Sequence, residues 1–300
     1  MTSEELLKDY LSYLRLEKSL SQASIAAYKS DISKLMCFLD NECDTLPPEN
    51  VQAQHLENFL AHVCDKGLSR RSQSRLLSSI KGFYKFLKLD EIIRNDPSEL
   101  IESPNPIRKL PDVLSVEEIA LIIDNIDLDS PEGHRNKAIV ELLYGCGLRV
   151  SELVSFKISN YFPEKNYIKV RGKGAKERLI PLGEYAVNAV NDYLARRKSS
   201  VAKSDEDIMF LNRRGRKLSR EMIFIIIKQA ATKVGISKSV SPHTFRHSFA
   251  THLIENGADL RSVQEMLGHE SIVTTEIYTH LDQRYLYDMV LKNHPRAVTG

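Results

Sequence analysis

Apolar residues in the first hundred positions recur at intervals of three and four, the spacing of a helix with one buried face. This pattern predicts four amphipathic helices and no strand, the fourth spanning about 69 to 87. The apolar positions of the four predicted helices are Leu7, Leu11 and Leu14; Ile25, Tyr28, Ile32, Leu35 and Leu39; Leu56, Phe59, Leu60 and Val63; and Leu76, Leu77, Ile80, Phe83, Tyr84 and Leu87.

The helical pattern stops in a polar stretch that contains Pro97, Pro104, Pro106 and Pro111. Prolines at this density favour an extended segment. We therefore predict a helical domain over 1–95, an interdomain linker over 96–112 and a second domain over 113–300. The second domain begins with a capping-box sequence, in which Ser115 stands three residues before Glu118.

The spacing in the second domain predicts further helices over 134–144, 222–234, 242–256 and 259–267, the last two ended by Gly257 and Gly268. Only Tyr167 to Leu182 alternates as strands do, on either side of a Gly-Lys-Gly turn. The predicted fold class is thus mainly α, a helical N-terminal domain followed by an α+β domain with a small antiparallel sheet.

Composition narrows the class of protein only slightly. Lys and Arg exceed Asp and Glu by 42 − 40 = 2, which does not by itself indicate a polyanionic partner. The four cysteines lack the CxxC spacing of zinc sites, and no apolar run reaches the length of a membrane span. The N-terminal residues lack a signal-peptide pattern. We expect a reduced, cytoplasmic protein that has neither a zinc site nor a disulfide framework and does not insert into membranes.

The local distribution of charge is more informative than the total. The charged residues on the polar face of the fourth helix are all basic, and further basic clusters lie in the predicted hairpin and before the helix at 222. A basic face is most often simply solvated. It is also what binding to nucleic-acid phosphates requires. On the second interpretation, the candidate DNA-contact residues are Arg70, Arg71, Arg75, Arg171, Lys176, Arg213 and Arg214.

Groups suited to phosphate chemistry follow the predicted turns and helix ends. Ser241 and Pro242 should open a helix that places His243 and Arg246 on one face. The other candidates are Arg149 after a glycine-rich turn, Lys173 at the hairpin tip, His269 directly after Gly268, and Tyr278. Guanidinium, ammonium, imidazole and phenol groups together could surround and attack a phosphodiester. A phosphate-binding P-loop is rejected, because the Gly-Lys-Ser/Thr order is missing.

The chain carries these six groups in the order Arg149, Lys173, His243, Arg246, His269, Tyr278. This ordered set resembles the tyrosine recombinase (phage integrase) family, and within it the bacterial Xer recombinases of the XerD type. The resemblance extends over almost the full length. It is most specific in the segments GLRVSELV, RGKGAKER, HTFRHSFATHL, LGHESIVTTEIYTH and NHPRA. It implies a SAM-like core-binding domain and a catalytic domain that together clamp double-stranded DNA.

The resemblance also implies a role for each residue in cutting and rejoining DNA without metal, cofactor or ATP. Tyr278 is the nucleophile and forms a 3′-phosphotyrosyl intermediate. Arg149 and Arg246 bind the non-bridging phosphate oxygens, and His269 donates a further hydrogen bond there. Lys173 protonates the leaving 5′-oxygen. His243 assists proton transfer.

The expected function is resolution of chromosome dimers at a dif-like site during segregation and division. The expected assembly is a tetramer on two DNA sites, formed with a second Xer-type recombinase or with itself, and a DNA translocase of the division septum is a further possible partner. The tail, 282–300, is expected to dock on a neighbouring protomer, or else to fold onto its own domain. The alternatives are a mobile-element integrase, a type IB topoisomerase and a catalytically silent DNA-binding regulator.

Other conspicuous side chains have simpler interpretations. His247 and His252 lie on the helix of His243, where a histidine usually packs. Tyr285 and Tyr287 follow Tyr278 in the tail and suit core or interface packing better than attack on phosphate. Cys146 is expected to be a small buried hydrophobic residue.

Overall fold

The computed structural model describes residues 2–18, 20–103, 112–130, 132–172, 177–200, 202–268 and 280–297, with only the backbone for Arg71 and 280–284. Lys173, Lys176, His269 and Tyr278 lie outside these ranges. The chain forms two compact units, residues 1–109 and 110–300.

The first unit consists of the four helices that the apolar spacing predicted. They are α1 (Ser3–Leu16), α2 (Gln22–Glu42), α3 (Ala53–Asp65) and α4 (Arg70–Leu89). Thr2, Ser21 and Ser69 cap α1, α2 and α4, each by accepting a hydrogen bond from a backbone N–H of the first turn. Most of the predicted apolar positions of α2, α3 and α4 form the core of this unit, although Tyr28 and Leu60 are only partly buried. In α1 the prediction was off by one position, because the buried residues are Leu6, Tyr10 and Leu14, whereas Leu7 and Leu11 are only partly buried.

The first half of the predicted linker belongs to this unit. Ile101 is buried in the core of the first unit, and Ser98 is fully buried. Ser98 is held by the carboxylate of Asp96, which accepts bonds from its backbone N–H and its hydroxyl. Residues 104–111, the rest of the proline-rich stretch, are outside the described ranges.

The second unit combines helices with one small sheet. Its helices are α5 (Val116–Asp124), α6 (Gly133–Gly145), α7 (Val150–Val154), α8 (Glu184–Leu194), α9 (Arg220–Lys233), α10 (Pro242–Glu255), α11 (Leu260–Leu267) and α12 (His280–Asn293). The strands β1 (Tyr161–Phe162), β2 (Tyr167–Arg171) and β3 (Glu177–Pro181) form an antiparallel sheet in that order. The predicted hairpin is β2–β3, and β1 is an addition that the sequence did not indicate.

The core of the second unit is built around α6 and α10. Ala138 to Tyr144 of α6 are all buried, and Phe245, Phe249 and Leu253 of α10 are fully buried. Ser115 and Glu118 form the predicted capping box, which fixes the start of α5. None of the helices within the described ranges is long and apolar enough to cross a membrane.

The described part of the tail packs on its own unit. Leu286, Met289, Val290 and Ala297 are buried in the core of the second unit. Arg296 donates to Glu141 of α6, and the carbonyl of Ala297 accepts the backbone N–H of Glu184. This arrangement corresponds to the intramolecular alternative for the apolar stripe of α12.

Candidate active site

Arg149 is placed by a turn that only glycine accommodates easily. Gly147 has a φ of +57°, and Arg149 two residues later is the N-cap of α7. Its backbone N–H donates to Glu152 Oε2 at 2.8 Å, and its Nη1 donates to Oε1 at 3.0 Å. The Arg149 side chain remains 37% exposed. Arg149 thus follows the predicted glycine turn, lies at the start of a helix and forms an ion pair with Glu152.

Arg246 lies on α10, which begins with the predicted Ser241 cap and Pro242. The side chain is buried, and it donates from Nη1 to the carbonyl of Gly147 at 2.7 Å and from Nη2 to the carbonyl of Leu267 at 2.5 Å. Burial, together with repulsion from Arg149 and Arg178, lowers the pKa of Arg246 to about 10. The group is therefore still a cation at neutral pH.

Arg178 of β3 is a site residue that sequence reasoning missed. It reads as one more basic residue of the hairpin, yet it is only 6% exposed. Its Nη1 and Nη2 donate to the two carboxylate oxygens of Glu152 at 2.8 and 2.9 Å. Burial would raise the pKa of Glu152, but the hydrogen bonds and charges of Arg178 and Arg149 bring it below its ordinary value. Glu152 is thus ionised and shared by two arginines.

The C-terminus of α11 brings these arginines together. The consecutive carbonyls of Met266, Leu267 and Gly268 accept hydrogen bonds from Arg178, Arg246 and Arg149 respectively. The last carbonyls of a helix have no partner within it and carry partial negative charge. Three guanidinium groups from three different elements therefore converge on one helix end.

The same helix end leads into the segment with the remaining candidates. Gly268 is the C-cap of α11 with a φ of +65°, as the sequence predicted, and His269 follows directly. His243 lies one helical turn before Arg246 on α10 and is exposed. The positions of Lys173, His269 and Tyr278 lie outside the described residues, so their roles remain predictions.

The described DNA-contact candidates differ in their surroundings. Arg70, Arg171 and Arg214 are exposed, as the prediction requires. Arg213 is 84% exposed but lies 3.4 Å from a carboxylate oxygen of Glu132. These candidates remain predictions, as does Lys176.

Arg75 of α4 is not a free cation. Its two terminal nitrogens donate to the carboxylate of Asp31 on α2, which is fully buried and also accepts the hydroxyl hydrogen of Ser79. The sequence of α4 shows no acidic neighbour, because the compensating carboxylate comes from another helix.

The structure also tests the packing roles predicted for the other histidine, cysteine and tyrosine side chains. His252 is buried against Tyr144, with 2.8 Å between its Nδ1 and the phenol oxygen, which confirms a packing role. Cys146 is fully buried, and burial raises the pKa of its thiol. Tyr287 contacts Asn166 through its hydroxyl, whereas Tyr285 is 56% exposed and does not belong to the core.

Comparisons with known proteins match almost the whole chain. The phage integrase family matches residues 112–284, and the phage integrase N-terminal SAM-like domain matches residues 7–91. Tyrosine recombinase XerD of Oceanobacillus iheyensis is 41% identical over 296 residues, which cover 98% of this chain and 99% of the relative. XerD of Staphylococcus haemolyticus is 40% identical over 295 residues, covering 98% of this chain and 100% of the relative.

Solved structures give the same fold. XerH recombinase in a post-cleavage complex with palindromic difH substrate is 25% identical with a TM-score of 0.71, covering 97% of this chain and 84% of that chain. The Tn1549 transposon integrase in complex with a circular intermediate DNA has a TM-score of 0.73 at 20% identity, covering 96% of this chain and 99% of that chain, and supports the fold alone. The chain therefore belongs to the phage integrase family of tyrosine recombinases and is of the Xer type, similar to XerD.

Proposed function

We propose that this site-specific tyrosine recombinase resolves chromosome dimers at a dif-like site, through a covalent link between Tyr278 and the 3′-phosphate of the cut strand. The observation that carries the chemistry is the convergence of Arg149 and Arg246 on the end of α11. An arginine side chain has five N–H donors, and the described hydrogen bonds of the Arg149 side chain use one donor on each of its two terminal nitrogens. Its partly exposed guanidinium is thus available to a phosphate.

In the proposed mechanism, the oxygen of Tyr278 attacks the scissile phosphorus and the bond to the 5′-oxygen breaks. The phenol proton passes to His243 or to solvent, and Lys173 donates a proton to the leaving 5′-oxygen. Arg149, Arg246 and His269 bind the non-bridging oxygens, where negative charge increases in the transition state. Attack by another strand's 5′-hydroxyl reverses these steps and releases the tyrosine.

The biological role is supported by the relatives. The chain matches XerD sequences over nearly their full length, and XerH has been solved on a difH substrate. We infer a cytoplasmic enzyme that works as a tetramer on two DNA sites, with itself or a second Xer-type recombinase, and with a septal DNA translocase as a further partner. Selection of genomic fragments by the purified protein tests this role. Enrichment of a single chromosomal site supports it, whereas enrichment of mobile-element ends favours the integrase alternative.

The nucleophile is tested by trapping the covalent intermediate. A DNA substrate nicked near the cleavage point releases a short fragment, so that the protein–DNA adduct accumulates and is seen on a denaturing gel. Tyr278→Phe should bind this DNA with wild-type affinity and give no adduct. Tyr285→Phe is the matched control, because Tyr285 is an exposed tyrosine seven positions later in the sequence, and it should give the wild-type amount. Adduct formation by Tyr278→Phe would refute the assignment.

A further inference from the structure

Arg178 is buried at the candidate site but is not one of the six proposed catalytic residues. It lies opposite the buried Val170 in the β2–β3 hairpin, and its side chain points into the protein, where it is 7% exposed. Burying a guanidinium is costly unless its donors are all satisfied. Its Nε donates to the carbonyl of Met266 at 2.6 Å, and both terminal nitrogens donate to Glu152. All three nitrogens of the guanidinium group therefore donate a hydrogen bond, which fixes the group in place.

Each oxygen of Glu152 is shared between Arg178 and Arg149. Oε1 accepts from Nη1 of Arg178 at 2.8 Å and from Nη1 of Arg149 at 3.0 Å. Oε2 accepts from Nη2 of Arg178 at 2.9 Å and from the backbone N–H of Arg149 at 2.8 Å. The bidentate fork prevents rotation of the carboxylate, because rotation would break two charge-assisted bonds at once. The orientation of Glu152 in turn fixes the guanidinium of Arg149.

The sharing also affects charge. If Arg149 were the only cation beside Glu152, the carboxylate would cancel the positive charge of Arg149, the group that is proposed to bind the phosphate. With two cations on one carboxylate, the cluster of Arg149, Arg178 and Glu152 keeps a net charge of +1, with Arg246 adding another. The side chain of Arg149 is 37% exposed and that of Arg178 is 7% exposed, so the net charge is presented through Arg149.

We propose that Arg178 is a positioning residue for phosphate activation, which clamps Glu152 in the orientation that presents Arg149 to the scissile phosphate. The proposal rests on the proposed role of Arg149 and assigns no contact between Arg178 and DNA. The competing explanation is that Arg178 only joins β3, α7 and α11 mechanically. Both explanations predict a weaker enzyme when Arg178 is changed, so the test must separate lost orientation from lost folding.

The test compares cleavage of two nicked substrates by the full-length protein at saturating DNA concentration. One has an ordinary scissile phosphate, and the other has a methylphosphonate there, in which a neutral methyl group replaces one non-bridging oxygen. The second substrate gains less negative charge in the transition state and so depends less on cations. Arg178→Lys keeps the charge and loses the fork. Arg197→Lys is the matched control, since Arg197 donates to the carbonyls of Glu206, Ile208 and Met209 and has no described bond to the site.

We expect Arg178→Lys to cleave the ordinary phosphate about 10²-fold more slowly, as small misplacements of a catalytic group typically do. The loss should fall at least tenfold on the methylphosphonate. Arg149→Ala should show the same dependence on substrate, and adding Arg178→Lys to it should slow cleavage no further. Arg197→Lys should match wild type on both substrates.

An equal loss by Arg178→Lys on the two substrates, no loss, or an additive loss in the double variant would overturn the proposal. If Arg149→Ala itself lacks the substrate dependence, the proposed role of Arg149 fails instead. Should circular dichroism show that Arg178→Lys is unfolded at the assay temperature, Glu152→Gln replaces it, because it removes the shared charge at nearly constant volume. A loss by Glu152→Gln that is equal on the two substrates would then reject the proposal.

Discussion

Replacement of Gly147 by alanine tests the packing that holds Arg149 and Arg246 together. Gly147 combines a φ of +57° with a carbonyl that accepts a hydrogen bond from Arg246. A Cβ atom added here would lie 2.5 Å from Cδ1 of Phe249 and 3.1 Å from Cδ2 of Leu267. Phe249 is fully buried, so its ring can move away from the new Cβ only within the protein interior.

The expected loss of stability has two parts. An alanine in the left-handed region costs about 1–2 kcal/mol, of which the reduced entropy of the unfolded chain returns about 0.4–1 kcal/mol. Displacement of a buried ring by one extra methyl group adds about 1–3 kcal/mol. The sum is about 1–5 kcal/mol, which is a large share of the stability of an ordinary domain. Because the carbonyl of Gly147 moves with its backbone, cleavage should also slow.

Gly235→Ala is the control that isolates the second part. Gly235 also has a positive φ, of +74°, but no atom lies within 4 Å of its added Cβ. Hydrogen–deuterium exchange of peptides from α10 reports the opening free energy of the second unit separately from the first. Gly147→Ala should lower this free energy by at least 1 kcal/mol more than Gly235→Ala. Equal losses in the two variants would show that the contact with Phe249 is not restrictive.

Four further predictions address other parts of the chain. Lys173→Ala should cleave ordinary DNA poorly and recover on a 5′-bridging phosphorothiolate, whose sulfur leaves without a proton; an equal defect on both would leave Lys173 a purely electrostatic role. Neutralising Arg70 and Arg71 should reduce the magnitude of the negative slope of log affinity against log salt concentration by roughly 1 to 2, and an unchanged slope would mean that this helix face is only solvated. Burial lowers the pKa of His294 to about 3, so its contribution to stability is complete above pH 6.5 and falls by up to about 1.4 kcal/mol per unit as the pH drops toward 3. Denaturation midpoints should show a shallower pH dependence for His294→Gln, and an unchanged dependence would contradict the assignment. Truncation after His280 removes the buried side chains of Leu286, Met289 and Val290, worth about 1.5–3 kcal/mol each, and should unfold the second unit as seen by circular dichroism; a folded protein that binds one half-site but loses cooperative pairing would favour docking on a neighbour.

The features that sequence predicted well are those set by neighbouring residues. Ser69, Ser115 and Ser241 begin helices because a hydroxyl can satisfy a backbone N–H three residues later. Gly268 ends α11 because the left-handed conformation costs glycine little. These choices depend on a few adjacent positions, so they can be read without knowledge of the fold.

The features that sequence reasoning missed depend on distant partners. Asp31 lies next to Ile32 in a helical pattern and looks like a surface residue, but Arg75 and Ser79 of another helix make its burial possible. Leu260, the first residue of α11, fits the apolar spacing of that helix and is nevertheless 54% exposed. Long-range contacts of this kind leave no local pattern.

The candidate site was predicted in part. Arg149 and Arg246 were identified by their motifs, and their meeting at the end of α11 is a consequence of the fold. In the sequence, Arg178 cannot be told from the other basic residues of the hairpin, because a buried arginine and an exposed one look alike there. Glu152 was not singled out, since a carboxylate three residues into a helix is ordinary. The fold alone brings both arginines to this carboxylate.

The acceptors at the end of α11 are main-chain atoms, so the residue types at these positions can vary while the contacts remain. Side chains at Met266 and Leu267 can be exchanged for others of similar size without altering the oxygen atoms that the arginines bind. Covariation between these positions and the arginines should therefore be weak, even though the groups are in direct contact. Amide-to-ester substitution of the peptide bond after Leu267, which weakens its carbonyl as an acceptor, would reach this contact where side-chain mutagenesis cannot.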